Sequence, residues 1–186
     1  MKKIKMMMAA ALGVLVSCGS VKSGEEAIAA SRESKVVVAY VTSWSEVMPD
    51  PQYMTHINYA FGHVNESFSG VKLDNEERLR QIVDLRKQKP ELKVLLSIGG
   101  WGSGRFSEMA ANDEYRRAFA ADCDRVVKEF ALDGIDIDWE YPTSSMANIS
   151  SSPDDTENFT LLMQDIRAAI GNEKELTLAT VASARY

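Results

Sequence analysis

The sequence has few of the residues on which metal, redox and nucleotide chemistry depend. Its 186 residues include two cysteines, Cys18 and Cys123, and two histidines, His56 and His63. Neither histidine has a cysteine or another histidine at zinc-ligand spacing, which argues against a zinc site. The sequence also lacks a glycine-rich phosphate loop and a serine-centred nucleophile elbow. We therefore expect no metal and no cofactor.

Positive charge is also scarce. The chain carries 21 Lys and Arg residues against 27 Asp and Glu residues, a net charge of −6. Beyond the first few residues, no segment concentrates lysine or arginine. An acidic protein without a basic patch has no electrostatic footprint for nucleic acid, so we expect no nucleic-acid partner.

The first residues predict an export signal. Lys2, Lys3 and Lys5 precede an apolar run at residues 6–16, which is shorter than the roughly 20 residues that span a bilayer. The run ends in Leu-Val-Ser-Cys, which resembles the lipobox of bacterial lipoproteins. That resemblance implies a signal peptide at residues 1–17, a lipid on Cys18, and an exported protein anchored on a membrane in the cell envelope or at the cell surface. An ordinary secretory signal is the alternative.

The remaining sequence predicts a tether at residues 18–34 and one domain at residues 35–186. The tether is rich in Ser, Gly, Glu and Ala and has no apolar periodicity. The domain alternates strands with helices, which predicts an α/β fold with a parallel sheet. The predicted strands cover residues 35–41, 55–61, 92–98, 133–140 and 176–182. The predicted helices cover residues 75–89 after Asp74 as the cap, 113–130 after Asn112 as the cap, and 156–170.

Cys123 lies on the apolar face of the second predicted helix. That position predicts a buried structural thiol rather than a reactive one.

Carboxyl groups occupy one side of the fourth predicted strand, whose sequence is Asp-Gly-Ile-Asp-Ile-Asp-Trp-Glu at 133–140. Because side chains alternate along a strand, Asp136, Asp138 and Glu140 project from one face, with successive α-carbons about 6.6 Å apart. Three ionised carboxylates there would repel one another, so one member retains a proton near neutral pH and has a raised pKa. A general acid requires such a group. The side chains on the opposite face of this strand are apolar and are predicted to face the helices. They are Ile135, Ile137 and Trp139.

Residues 133–142 resemble the D-x-x-D-x-D-x-E signature of family 18 glycoside hydrolases, the chitinases. Ser-Ile-Gly-Gly-Trp at 97–101 resembles the S-x-G-G motif of this family, and residues 56–61 and 155–159 resemble its second strand and a later helix start. The resemblance implies a (β/α)8 TIM barrel, which takes about 250 residues. The sequence would then be truncated after about the fifth strand. We expect such a chain, a truncated product or a fragment, to be inactive and marginally stable by itself.

The resemblance also implies what the site does. The reaction would be hydrolysis of β-1,4 linkages in chitin or N-acetylglucosamine-containing oligosaccharides by a retaining, substrate-assisted mechanism. Glu140 would be the general acid and base, Asp138 would stabilise the oxazolinium intermediate, and Asp136 would share a proton with Asp138. The positions that match sugar-contacting residues of the family are Tyr40, Phe61, Gly100, Trp101 and Tyr141, with Trp44 open between sugar binding and packing.

The third predicted strand adds three expectations. Ser97, Gly99 and Trp101 share one parity, so we expect them on the same face as Asp136. Ser97 would hydrogen-bond the buried acid, and Gly99 would leave room beside it.

Two alternative functions remain open from the sequence. One is an endo-β-N-acetylglucosaminidase that acts on N-glycans, and the other is a chitinase-like protein that binds sugar without cutting it. The presence of Glu140 favours an enzyme over the binding protein.

Overall fold

The computed structural model describes residues 35–181. The predictions for residues 1–34, including the signal peptide, the tether and the lipidated Cys18, lie outside the described residues. Within the described range the strands are β1 (Val38–Thr42), β2 (His56–Val64), β3 (Val71–Leu73), β4 (Lys93–Gly99), β5 (Gly134–Asp138) and β6 (Glu175–Leu178). The α-helices are α1 (Glu76–Val83), α2 (Phe106–Ala111), α3 (Asp113–Glu129) and α4 (Asp155–Ile170). Short 3₁₀ helices occur at Pro51–Tyr53, Asp84–Lys87 and Met146–Asn148.

The sheet is parallel and follows chain order. Its strands are arranged β1-β2-β4-β5-β6, and the short β3 pairs antiparallel with β2. Parallel neighbours in chain order, connected through helices, are the arrangement of a (β/α)8 barrel. The predicted α/β fold with a parallel sheet is therefore confirmed.

The two faces of the sheet differ in polarity. Ile57 and Tyr59 of β2 and Ile135 and Ile137 of β5 belong to one buried apolar cluster together with residues of all four helices. Full burial of one aliphatic side chain of this kind stabilises the fold by roughly 1.5–3 kcal/mol. The opposite face carries polar side chains, Asn58, Ser97 and Asp136, beside the buried Leu95.

Cys123 is a free, fully buried thiol on α3. Burial raises the pKa of this thiol above its ordinary value. The prediction of a buried structural cysteine is confirmed.

Helix starts follow the capping residues, with one correction at α1. The helix predicted at residues 75–89 is also too long, because α1 ends at Val83 and the chain tightens into the 3₁₀ helix Asp84–Lys87. Asn112 caps α3 as predicted, because its Oδ1 accepts hydrogen bonds from the backbone N–H groups of Glu114 and Tyr115. The cap of α1 is Asn75 and not Asp74, and its Oδ1 accepts from the N–H of Arg78 at 3.0 Å. Asp74 instead lies 3.4 Å from Nε2 of His63.

The structure has two elements that the sequence pattern did not predict, β3 and α2. Both are shorter than the window in which periodicity is visible. β3 depends on pairing with β2 and on a 2.7 Å hydrogen bond from the N–H of Val71 to Oδ2 of Asp122. β3 is therefore a product of tertiary contacts.

Three predicted strands are too long, and the first of them, β1, begins at Val38 rather than at residue 35. β5 ends at Asp138 rather than at residue 140, and β6 ends at Leu178 rather than at residue 182. Among residues 35–181, no helix combines the length and apolarity that a bilayer crossing needs.

Candidate active site

Asp136 is the buried anchor of the candidate site. Its side chain is on β5 and is 1% exposed. Its Oδ2 accepts hydrogen bonds from Ser97 Oγ at 2.8 Å and from Tyr40 Oη at 2.9 Å, and its Oδ1 accepts from Thr177 Oγ1 at 2.6 Å. Three hydroxyl donors replace the water that burial removes, so the carboxylate is held on both of its oxygens.

Strand register explains two of these contacts. Ser97 on β4 and Thr177 on β6 are both paired in register with Asp136, one on each side of β5. The predicted Ser97 contact is therefore confirmed. The Thr177 contact was missed, although its alternation with Leu176 and Leu178 is a signal that could have found it.

Tyr40 approaches Asp136 from β1. Burial raises the pKa of the Tyr40 phenol to about 12, and the nearby Asp136 carboxylate adds to the effect. Tyr40 is therefore protonated at neutral pH and can donate its hydrogen bond. A cavity of about 220 Å³ lies against this face and is lined in part by Tyr40, Asn58, Asp136 and Thr177.

Asp138 is the carboxyl whose proton affinity is raised. It is 8% exposed. Burial, followed by the negative charges of Glu140 and Asp136, raises the pKa of Asp138 from 3.8 to about 6. This result agrees with the expectation that one member of the acidic row holds a proton close to neutrality.

Glu140 follows the end of β5 and is partly exposed. Its neighbour Trp139 points the other way and is 2% exposed. The Trp139 ring stacks on Phe106 of α2, with centroids 5.4 Å apart, and meets Phe159 of α4 edge-on at 5.6 Å. The main chain that carries Glu140 is therefore anchored from the helix side, as the parity of Trp139 predicted.

Two glycines bring the backbone close to the site. Gly99 has a φ of 131°, and a Cβ added there would lie 2.0 Å from the carbonyl oxygen of Asp138. We expected Gly99 to make room beside a carboxyl side chain, whereas it accommodates the backbone of Asp138. Gly100 has a φ of 91°, its N–H donates to that carbonyl at 2.9 Å, and a Cβ there would lie 2.8 Å from the Phe61 ring.

The aromatic candidates lie in different places. Trp44 and Phe61 have ring centroids 6.4 Å apart. Tyr141 lines a cavity of about 430 Å³ between the ends of β5 and β6 and α4. Trp101 is 62% exposed and borders a depression of about 300 Å³ that His63 also lines. The predicted shared parity of Trp101 with Ser97 does not apply, because β4 ends at Gly99.

Among residues 35–181, no group of three or more potential ligating side chains could hold a metal ion.

The candidate site consists of three carboxyl groups, at alternate positions, at the end of one strand of a parallel sheet. One of these carboxyls is clamped by hydroxyls, and another titrates near pH 6. Carboxyl groups near the carboxyl ends of parallel strands are the arrangement that glycoside hydrolases with barrel folds use. The sequence profile of glycosyl hydrolases family 18 matches residues 36–186, and the chain belongs to this family.

Curated relatives support the same assignment. The chain is 32% identical over 169 residues to Chitotriosidase-1 of Mus musculus, covering 80% of this chain and 36% of that protein. It is 31% identical over 173 residues to Probable chitinase 2 of Drosophila melanogaster, covering 81% of this chain and 35% of that protein. The chain thus spans about a third of the length of these relatives.

Solved structures are similar in fold and sequence. The chitinase domain of the spore coat protein CotE from Clostridium difficile has a TM-score of 0.77 and 39% identity, covering 81% of this chain and 43% of that one. A family 18 N-acetylglucosaminidase from Paenibacillus barengoltzii has a TM-score of 0.74 and 40% identity, covering 81% and 47% of the two chains.

Proposed function

We propose that the full-length protein, by which we mean the complete catalytic domain to which this chain contributes, hydrolyses β-1,4 linkages between N-acetylglucosamine units of chitin, with retention of configuration and with Glu140 as the general acid and base. The observation that carries the proposal is the acidic row itself. Asp136 is held by three hydroxyls, Asp138 has a pKa of about 6, and Glu140 is open to the solvent side. The similarity to several proteins named as chitinases supports the substrate.

Bond cleavage begins with proton transfer from Glu140 to the glycosidic oxygen. The carbonyl oxygen of the substrate's own N-acetyl group attacks the anomeric carbon as the bond to the leaving sugar breaks. The product of this step is an oxazolinium ion. The Glu140 carboxylate then takes a proton from water, whose oxygen adds to the anomeric carbon and opens the ring with retained configuration.

Asp138 has the position and the proton affinity to serve this cycle. Its pKa of about 6 allows it to share a proton with Asp136 before the substrate binds. As a carboxylate it can accept the acetamido N–H and stabilise the positive charge of the intermediate. Asp136 stays in place while Asp138 reorients, because three hydroxyls hold it.

The substrate would contact the rim around these acids. We propose that Trp101 and Tyr141 offer flat faces to sugar rings and that Tyr40 and Phe61 line the groove. Gly100 would bring its backbone close to the sugar.

The test is hydrolysis of chitin oligomers by the full-length protein and by its Glu140→Gln variant. Loss of the transferable proton is expected to lower kcat by about 10²- to 10⁴-fold, while the oligomer still binds. Hydrolysis at the wild-type rate by the variant would exclude Glu140 as the acid. Binding without turnover by the wild-type protein would indicate the sugar-binding alternative.

Two other hydrolase specificities can be separated by substrate and product. Release of intact glycans from an N-glycoprotein would indicate an endo-β-N-acetylglucosaminidase. Release of single N-acetylglucosamine units would indicate an N-acetylglucosaminidase, a possibility supported by the 40% identity to the enzyme from Paenibacillus barengoltzii.

We also propose that the exported protein is anchored to a membrane through lipid on Cys18. The support is the order of three lysines, a short apolar run and a lipobox-like Leu-Val-Ser-Cys. Fatty-acid labelling of the wild-type protein and of Cys18→Ala provides the test. Label that persists in the variant would exclude this anchor.

A further inference from the structure

Asp155 is a buried carboxyl group outside the acidic row. It is the first residue of α4 and is 0% exposed. Among residues 35–181, no lysine, arginine or histidine forms an ion pair with it. A buried charge without a counter-ion persists only where hydrogen bonds replace its hydration.

Three hydrogen bonds supply that replacement, and they come from separate parts of the chain. Ser107 Oγ on α2 donates to Oδ1 of Asp155 at 2.7 Å. The backbone N–H groups of Thr143 and Ser152 donate to Oδ2 at 3.1 Å and 2.8 Å. Asp155 therefore connects two helices to both ends of the segment at residues 143–152.

This segment begins three residues after Glu140, the proposed acid. On the strand side, the Trp139 ring is held between Phe106 of α2 and Phe159 of α4. Asp155 holds the following segment to the same two helices. The main chain at Glu140 is thus fixed on both sides, at residue 139 by ring packing and at residue 143 by a carboxylate.

We propose that Asp155 is a positioning residue that sets the direction of the Glu140 carboxyl through its bond to the Thr143 backbone. This inference rests on the proposed function of Glu140. Proton transfer requires the acid to lie within hydrogen-bond reach of the glycosidic oxygen. A displacement of about 1 Å can lower the rate about 100-fold without changing how the distant sugar units bind.

The experiment compares three variants of the full-length protein on a chitin oligomer. Asp155→Ala removes all three bonds and is expected to lower kcat about 100-fold, with little change in KM. Asp155→Asn is the conservative rescue, because its amide oxygen can accept both N–H groups while its NH₂ donates to Ser107 Oγ. We expect it to recover most of kcat. Asp154→Ala is the matched control, because Asp154 is an exposed acid one residue earlier that makes no capping bond.

Hydrogen exchange gives a second readout that needs no activity. In Asp155→Ala, the amides of Thr143 and Ser152 are expected to exchange about tenfold faster or more, since each loses its acceptor. Core amides such as that of Phe119 are expected to keep wild-type rates. If Asp155→Ala does not fold, Ser107→Ala replaces it, and loss of this single anchor is expected to lower kcat about tenfold.

The outcomes separate the two ideas. Wild-type kcat and wild-type exchange in the folded variant would overturn the positioning role. Equal acceleration of exchange in segment and core would also overturn it, since Asp155 would then serve only overall stability. If the wild-type protein hydrolyses no chitin oligomer, and Asp155→Ala shows fast exchange only in residues 143–152, the proposed function is refuted. The conclusion that Asp155 anchors this segment would then still stand.

Discussion

The proton affinity of Asp138 should depend on the charge of Glu140, and the change Glu140→Gln tests this dependence. The pKa of Asp138 rises from 3.8 to about 6, with burial as the largest cause, the charge of Glu140 as the second and that of Asp136 as the third. Since burial contributes more than Glu140, removing the Glu140 charge cancels less than half of the rise. We therefore expect the pKa of Asp138 to fall from about 6, but to no lower than about 5.

Carbon-13 NMR titration of the Asp138 carboxyl in the full-length protein measures the effect without requiring turnover. Glu157→Gln is the control, because Glu157 is an exposed acid on α4 and its change should leave the titration of Asp138 as it is. An unchanged or increased pKa in Glu140→Gln would refute the electrostatic coupling of the two carboxyls.

Three further changes test the same site. Asp138→Asn should raise the melting temperature at pH 8 but not at pH 4. The pKa of Asp138 is higher in the folded state than in the unfolded state, so the ionised carboxylate destabilises the fold above about pH 6. This destabilisation disappears as the pH falls towards 3.8 and the carboxyl group becomes protonated. Thr177→Val removes one donor to Asp136 and should lower the free energy of unfolding by about 1–3 kcal/mol, measured by urea denaturation. Gly99→Ala places a methyl group 2.0 Å from the Asp138 carbonyl at a φ of 131°, so circular dichroism should show a lower melting temperature, and wild-type stability would contradict the close approach of β4 to β5.

Local sequence patterns were sufficient to predict the two faces of the strand that carries the acids. The alternation along residues 133–140 predicted that Trp139 faces the helices and that Asp136 lies on the opposite face of the sheet. This was possible because the two-residue period of a strand is a property of the backbone. The cap at Asn112 was also predictable, because a capping side chain binds amides only two or three residues away. For the same reason, the error at Asp74 is small, since the true cap is the next residue.

The ends of the strands were less predictable. The chain leaves β4 at Gly99 and β5 at Asp138, and Trp101 and Glu140 therefore lie beyond the regular alternation. Where pairing stops depends on the neighbouring strand, a partner that is distant in sequence.

The sequence alone was enough to establish the α/β class, the acidic row and the family resemblance, because these depend on short-range periodicity and on motifs contiguous in the chain. The folded structure was needed to bring Tyr40, Ser97 and Thr177 onto Asp136 across 96, 39 and 41 residues of sequence. It was also needed to join Asp155 to Ser107 and to the segment after Glu140. Such contacts depend on strand order, register and helix packing. These are settled when distant segments bury their apolar faces together, and no local pattern records them.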